Sequence, residues 1–162
     1  QSTGSNTVQC INYTKADGTG IAGGGGKVLQ VVTGSTDNET LTSSSTYADT
    51  TLTANITPVH TSNKVMVLAN IGGCSKNTST TWMGLRLLRD ATTINETKRI
   101  AQTPYSEVCG VGATSLNELD SPSTTSAITY KVQFMSSSDT ASVAVQNHSS
   151  ESNIMLLEID GT

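Results

Sequence analysis

The segment ITYKVQFM, residues 128–135, alternates without a break. Ile128, Tyr130, Val132 and Phe134 fall on one side, and Thr129, Lys131, Gln133 and Met135 on the other. Successive side chains of a strand point to opposite faces, so a period of two with one apolar set marks a half-buried strand. Downstream, the polar turn SSSDT (136–140) leads into ASVAVQ (141–146), which reads as the hairpin partner of 128–135. Upstream, TLTANIT (51–57) puts Leu52, Ala54 and Ile56 on one face and is closed by Pro58, which cannot donate to a ladder. KVMVLANI (64–71) is apolar on both faces and reads as a central strand ended by Gly72-Gly73. In WMGLRLLRD (82–90), Met83, Leu85 and Leu87 alternate with Trp82, Gly84, Arg86 and Leu88; Gly84 and the Thr-rich approach favour a strand over an amphipathic helix. KVLQVVT (27–33) opens the ordered chain, 98–103 and 113–119 are weaker strands, and NIMLLEI (153–159) ends it, apolar on both faces. Eight or nine short strands with polar turns between them predict an all-β domain: a jelly-roll-like antiparallel β-sandwich of about eight strands. An immunoglobulin arrangement does not fit, because Trp82 follows Cys74 by too few residues, and Trp82 reads as a single tryptophan buried in the sandwich.

Composition points the same way. Of 162 residues, 14% are charged, 35% are hydrophobic, and Ser and Thr supply about three in ten. A disordered chain combines low hydrophobicity with high charge, and the charge is missing here. Thr and Val suit a pleated surface. The length fits one domain. Four glycines at 23–26 break the chain into a flexible arm with its hinge, residues 1–26, and a sandwich domain, residues 27–162.

Net charge is −4 with nine scattered Lys and Arg, so the sequence predicts no nucleic-acid partner. No apolar run approaches the ~20 residues that span a bilayer, so no membrane insertion is expected. The chain begins at Gln1 and reads as processed or as a fragment.

Motifs that carry chemistry are sparse. The glycine run is not a phosphate loop, since that motif needs Gly at position 21 and Ser or Thr at 28, where Ile21 and Val28 stand. His60 and His148 fall in polar loops, no GxSxG elbow accompanies a serine, and the carboxylates are scattered singly. Asp37, Asp90 and Asp139 sit where turns are expected, a position Asp favours by bonding its own backbone. Six Asn-x-Ser/Thr sequons occur, at Asn12, Asn38, Asn55, Asn77, Asn95 and Asn147, of which so Thr-rich a chain produces roughly three by chance, and Asn55 lies inside an expected strand. No catalytic residue, metal site or cofactor is predicted. The three cysteines, Cys10, Cys74 and Cys109, leave at least one unpaired; buried thiols are the first reading and a Cys74–Cys109 bridge the second.

The two-sided strands are the exception to this blandness. A sandwich covers only one face of each sheet, so Met66, Leu68, Met155, Leu157 and Ile159 are candidates for an oligomer interface, with a covering arm or loop as the rival.

Six segments in order carry a resemblance: GGGGKVLQVV (23–32), TSSSTYADTTLTANITP (42–58), SNKVMVLANI (62–71), LRLLRDATTI (85–94), YKVQF (130–134) and LLEI (156–159). Together they resemble a group of tailed-phage virion proteins, tail-fibre-like or structural, common in phages of aquatic bacteria. Ala91 stands where that group usually has Gly after Arg-Asp, and the stretch before the glycines has no counterpart. The resemblance implies a jelly-roll sandwich, a homotrimer on the particle surface, and no catalytic residue. The expected function is a non-enzymatic virion surface protein: a fibre or receptor-binding head held to other virion proteins by its N-terminal arm and meeting a host glycan or protein. Capsid decoration by the same fold is one alternative and a carbohydrate-binding or adhesion module another.

Overall fold

The computed structural model of the chain describes residues 26–77, 81–102 and 109–161. The expected arm, residues 1–26, lies outside them except for Gly26. The strands are β1 (Val28–Thr36), β2 (Thr40–Thr42), β3 (Ala48–Ile56), β4 (Lys64–Lys76), β5 (Met83–Arg89), β6 (Thr92–Ile100), β7 (Cys109–Asp120), β8 (Ile128–Ser136), β9 (Val143–Val145) and β10 (Ser152–Ile159). A single turn of 3-10 helix at Asn147–Ser149 is the one helical element among the described residues.

The eight long strands pair as nested layers, all antiparallel. β1 pairs with β10, β3 with β8, β4 with β7, and β5 with β6. β10 then pairs with β4, and β8 with β5. One sheet therefore runs β1-β10-β4-β7 and the other β3-β8-β5-β6, the strand order of a jelly roll. The short strands β9 and β2 extend the first sheet beside the far end of β4.

The core lies between the sheets and follows the alternation of each strand. Leu52, Ala54 and Ile56 of β3, Val65, Val67 and Ile71 of β4, and Tyr130, Val132 and Phe134 of β8 all point inward. At one end Asp120 of β7 bridges the two sheets. Both its oxygens accept from Arg89 Nη1 of β5, at 2.8 and 2.9 Å, and one also accepts from the Tyr130 hydroxyl of β8 at 2.7 Å. Burial first, and the Asp120 carboxylate second, push the Tyr130 hydroxyl above its ordinary pKa.

Four expectations are corrected. Residues 141–146 are not the hairpin partner of 128–135: β9 crosses to the other sheet and pairs with β2 and β4. Gly72-Gly73 does not end the central strand but carries it through a register shift to Lys76. Gly73 has φ +59°, and a Cβ there would lie 2.4 Å from the Asn147 amide nitrogen. Of the weak strand expected at 98–103, residues 98–100 are the tail of β6, which starts at Thr92 after a two-residue turn in which Asp90 takes φ 52°, while residue 103 lies outside the described residues. Trp82, read as a buried sandwich tryptophan, is half-buried just before β5.

Candidate interaction surface

Each sheet has an outer face, and the two faces differ in kind. On the β3-β8-β5-β6 sheet one cross-strand row reads Asp49–Gln133–Arg86–Glu96. Gln133 donates to Asp49 at 2.7 Å and accepts from Arg86 Nε and Nη2 at 2.8 and 2.6 Å. The Arg86 guanidinium lies 4.2 Å from the Tyr47 ring centre, and the Tyr47 hydroxyl donates to Glu96 at 2.8 Å. Lys131 pairs with Asp49 at 3.1 Å and Lys98 with Glu96 at 2.8 Å. Burial penalises the Asp49 charge, but bonds from Gln133 and Lys131 outweigh that and hold its pKa below the usual carboxylate value. This face is built for water.

The β1-β10-β4-β7 sheet is the opposite. Its register aligns Val31, Leu157, Met66 and Leu119 in one row across four strands. The next row is Thr33, Met155, Leu68 and Asn117, and the row beyond is entirely polar and uncharged: Ser35, Asn153, Asn70 and Ser115. On the other side Ile159 stands between Val28 and Lys64. Val31 is 53% exposed, Leu119 45%, Leu68 40% and Met155 39%; Met66, Leu157 and Ile159 are half-buried. Single exposed apolar residues are ordinary on a protein surface, but adjoining rows of them are not.

The five candidates named from the sequence therefore share one face and adjoin one another. Val31 and Leu119 belong with them and were missed. Each sits on a strand whose inward set has the opposite parity, Val32 in β1 and Leu116 in β7, so the alternation had to be phased before either could be placed. Cys74 is a free, buried thiol opposite Gly112, donating to the Ile71 carbonyl at 3.5 Å. It takes the buried-thiol reading and not the Cys74–Cys109 bridge; burial pushes its pKa up to about 11.

The remaining chemistry-bearing residues stand apart. His60 is exposed, with Nδ1 2.9 Å from the Ser62 hydroxyl, and His148 is exposed in the 3-10 turn. Glu158 is buried and accepts from Asn63 Nδ2 at 2.6 Å, the Val59 amide at 2.7 Å and Gln30 Nε2, anchoring the β3–β4 connection. Among the described residues no three His, Cys, Asp or Glu side chains gather as metal ligands.

No protein-family model matches the chain, and no curated protein matches its sequence. Among solved structures the chain is similar to the infectious bursal disease virus VP2 subviral particle, with TM-score 0.46 and 10% identity over 82% of this chain and 37% of that one. It is also similar to a structure of the infectious bursal disease virus Gx strain, with TM-score 0.45 and 11% identity over 83% of this chain and 33% of that one. The chain thus spans about a third of the length of either.

Proposed function

We propose that the chain is a non-enzymatic structural protein of a virus particle's surface, a fibre or receptor-binding head tethered through residues 1–26. One observation carries the reading. The six segments that resemble tailed-phage virion proteins fall, in chain order, on seven of the eight long strands of one jelly roll: β1, β3, β4, the β5–β6 hairpin, β8 and β10, with β7 left out.

The two outer faces support it. One is laced with ion pairs and suits exposure to solvent; the other is apolar and suits a covered position in a larger assembly. The carbohydrate-binding alternative needs aromatic rings presented together on a strand face. Among the described aromatics, Tyr130 and Phe134 are buried in the core, Tyr47 is covered by Arg86, and Trp82 is half-buried.

Immunogold electron microscopy with antibody against the whole chain tests this on particles that carry the sequence. Label at fibre tips supports the reading as stated. Label spread over the head replaces it with capsid decoration, and particles without label overturn both.

A further inference from the structure

We propose that the outer face of the β1-β10-β4-β7 sheet is a self-association surface, covered by a second copy of this chain. The inference rests on the geometry of the face and not on where the chain is found.

The face has the layout of an interface. Its apolar row Val31–Leu157–Met66–Leu119 is followed on one side by Met155 and Leu68 between Thr33 and Asn117, and then by the uncharged polar row Ser35–Asn153–Asn70–Ser115, so the apolar centre is bordered there by groups able to bond water or a partner. Four strands about 4.8 Å apart and eight residues at about 3.3 Å each give a footprint on the order of 500 Å². That footprint includes the polar row, and two copies meeting over it would bury on the order of 1,000 Å² in total, the low end of specific interfaces.

Charge selects the occupant. Across the paired register of these four strands, Lys64 is the one outward-facing charge. A strongly charged partner would find nothing to complement there, whereas an identical face meets it without like-charge repulsion. The chain itself carries net charge −4, so copies repel over most of their surface and meet at least cost where neither presents charge. The other sheet shows that the same architecture accepts a charged row, Asp49–Gln133–Arg86–Glu96. The lack of charge is therefore particular to this face.

Sedimentation equilibrium of the full chain between about 1 and 50 μM tests the proposal. The expected mass is a whole multiple, two or more, of 16.8 kDa. Leu157→Asp, in the middle of the apolar row, should weaken assembly at least tenfold, and Val31→Lys, on the edge strand, should weaken it in the same direction. Thr93→Lys, exposed on the other sheet, should leave the mass unchanged. Circular dichroism checks that each variant is folded. If Leu157→Asp does not fold, Val31→Lys and the parent chain still decide: peroxide should oxidise Met155 more slowly in the assembled than in the dilute chain. A parent chain monomeric throughout the range, as when residues 1–25 cover the face, overturns the proposal. So does an oligomer indifferent to both face variants, or Met155 oxidised equally fast in both states.

Discussion

Replacing Glu158 with alanine tests whether one buried carboxylate holds the connection between β3 and β4. Its oxygens accept from Asn63 Nδ2 at 2.6 Å, the Val59 amide at 2.7 Å and Gln30 Nε2. In the alanine variant these donors lose their acceptor, Gln30 keeping its second bond to the Thr57 carbonyl at 2.9 Å, and each buried donor left unpaired costs about 1–3 kcal/mol. Water can reach the exposed Val59 and half-buried Gln30, while Asn63 is buried, so the expected loss is about 3–4 kcal/mol. Glu158→Gln keeps the volume and one carbonyl oxygen for Asn63 and Val59, losing the charge and the Gln30 bond, for about 1–2 kcal/mol. Urea unfolding at fixed protein concentration measures both, with the m-value unchanged. At about 2–4 °C per kcal/mol for a chain of this size, the alanine variant should melt about 6–16 °C below the parent. The pH dependence supplies an independent reading. Burial alone would raise the Glu158 pKa, but bonds from Asn63, Gln30 and the Val59 and His60 amides prevail and hold it below the ordinary 4.5. A depressed folded pKa contributes stability that is full above the unfolded value and lost as pH falls through the folded one. The parent should therefore lose stability below about pH 4.5 more steeply than Glu158→Gln. An alanine variant within 1 kcal/mol of the parent, or a glutamine variant as damaged as the alanine one, would refute the clamp.

Other perturbations have equally definite outcomes. Phe134→Ala should cost about 3–5 kcal/mol in urea, because the ring is fully buried in the centre of the core. Tyr130→Phe removes one bond to Asp120 and leaves the Arg89 pair in place, so a loss of about 1.5–3 kcal/mol is expected from the same measurement. Gly73→Ala must leave φ +59° and move Asn147 aside, and its melting temperature should fall by several degrees; an unchanged value would mean that the β4 bulge is not required. The Cys74 thiol, buried with a pKa near 11, should react with iodoacetamide at neutral pH only when the chain is unfolded, as peptide mass spectrometry can show.

Alternation made most of the fold legible. Residues 51–57, 64–71, 82–90, 128–135 and 153–159 each fall on a long strand with the expected face inward, because a period of two survives whatever partner the strand finds. What failed depended on partners. VAV at 143–145 is buried on both sides and pairs with β2 and β4 in the other sheet, and no local pattern distinguishes that from a hairpin return. Gly72-Gly73 looked like a terminus because glycine weakens strands; the requirement for it comes from the Glu151 and Asn147 backbones packed against it, about 75 residues away in sequence. The charged row on the other sheet was equally hidden, since Asp49, Arg86, Glu96 and Gln133 belong to four different strands.

Nested pairing explains why the two strands that are apolar on both sides make one patch. In a chain folded as layered hairpins, the last long strand must pair with the first, and the third with the sixth. Closing the sheet then sets the last strand beside the third, which puts β10 next to β4 although nearly eighty residues separate them. Both become interior strands of one sheet, flanked by β1 and β7, so their inward residues form the middle of the core and their outward residues the middle of one outer face. Neither segment alone exposes more than a thin stripe. Antiparallel register joins Leu157 to Met66 and Met155 to Leu68, and extends the first pair to Val31 and Leu119 on the flanking strands. A polar substitution at Val31, Leu68, Leu119 or Met155 would cost the monomer little, because each of these is already exposed to water. Their common apolar character is a property of the face, and the fold of the single chain does not require it.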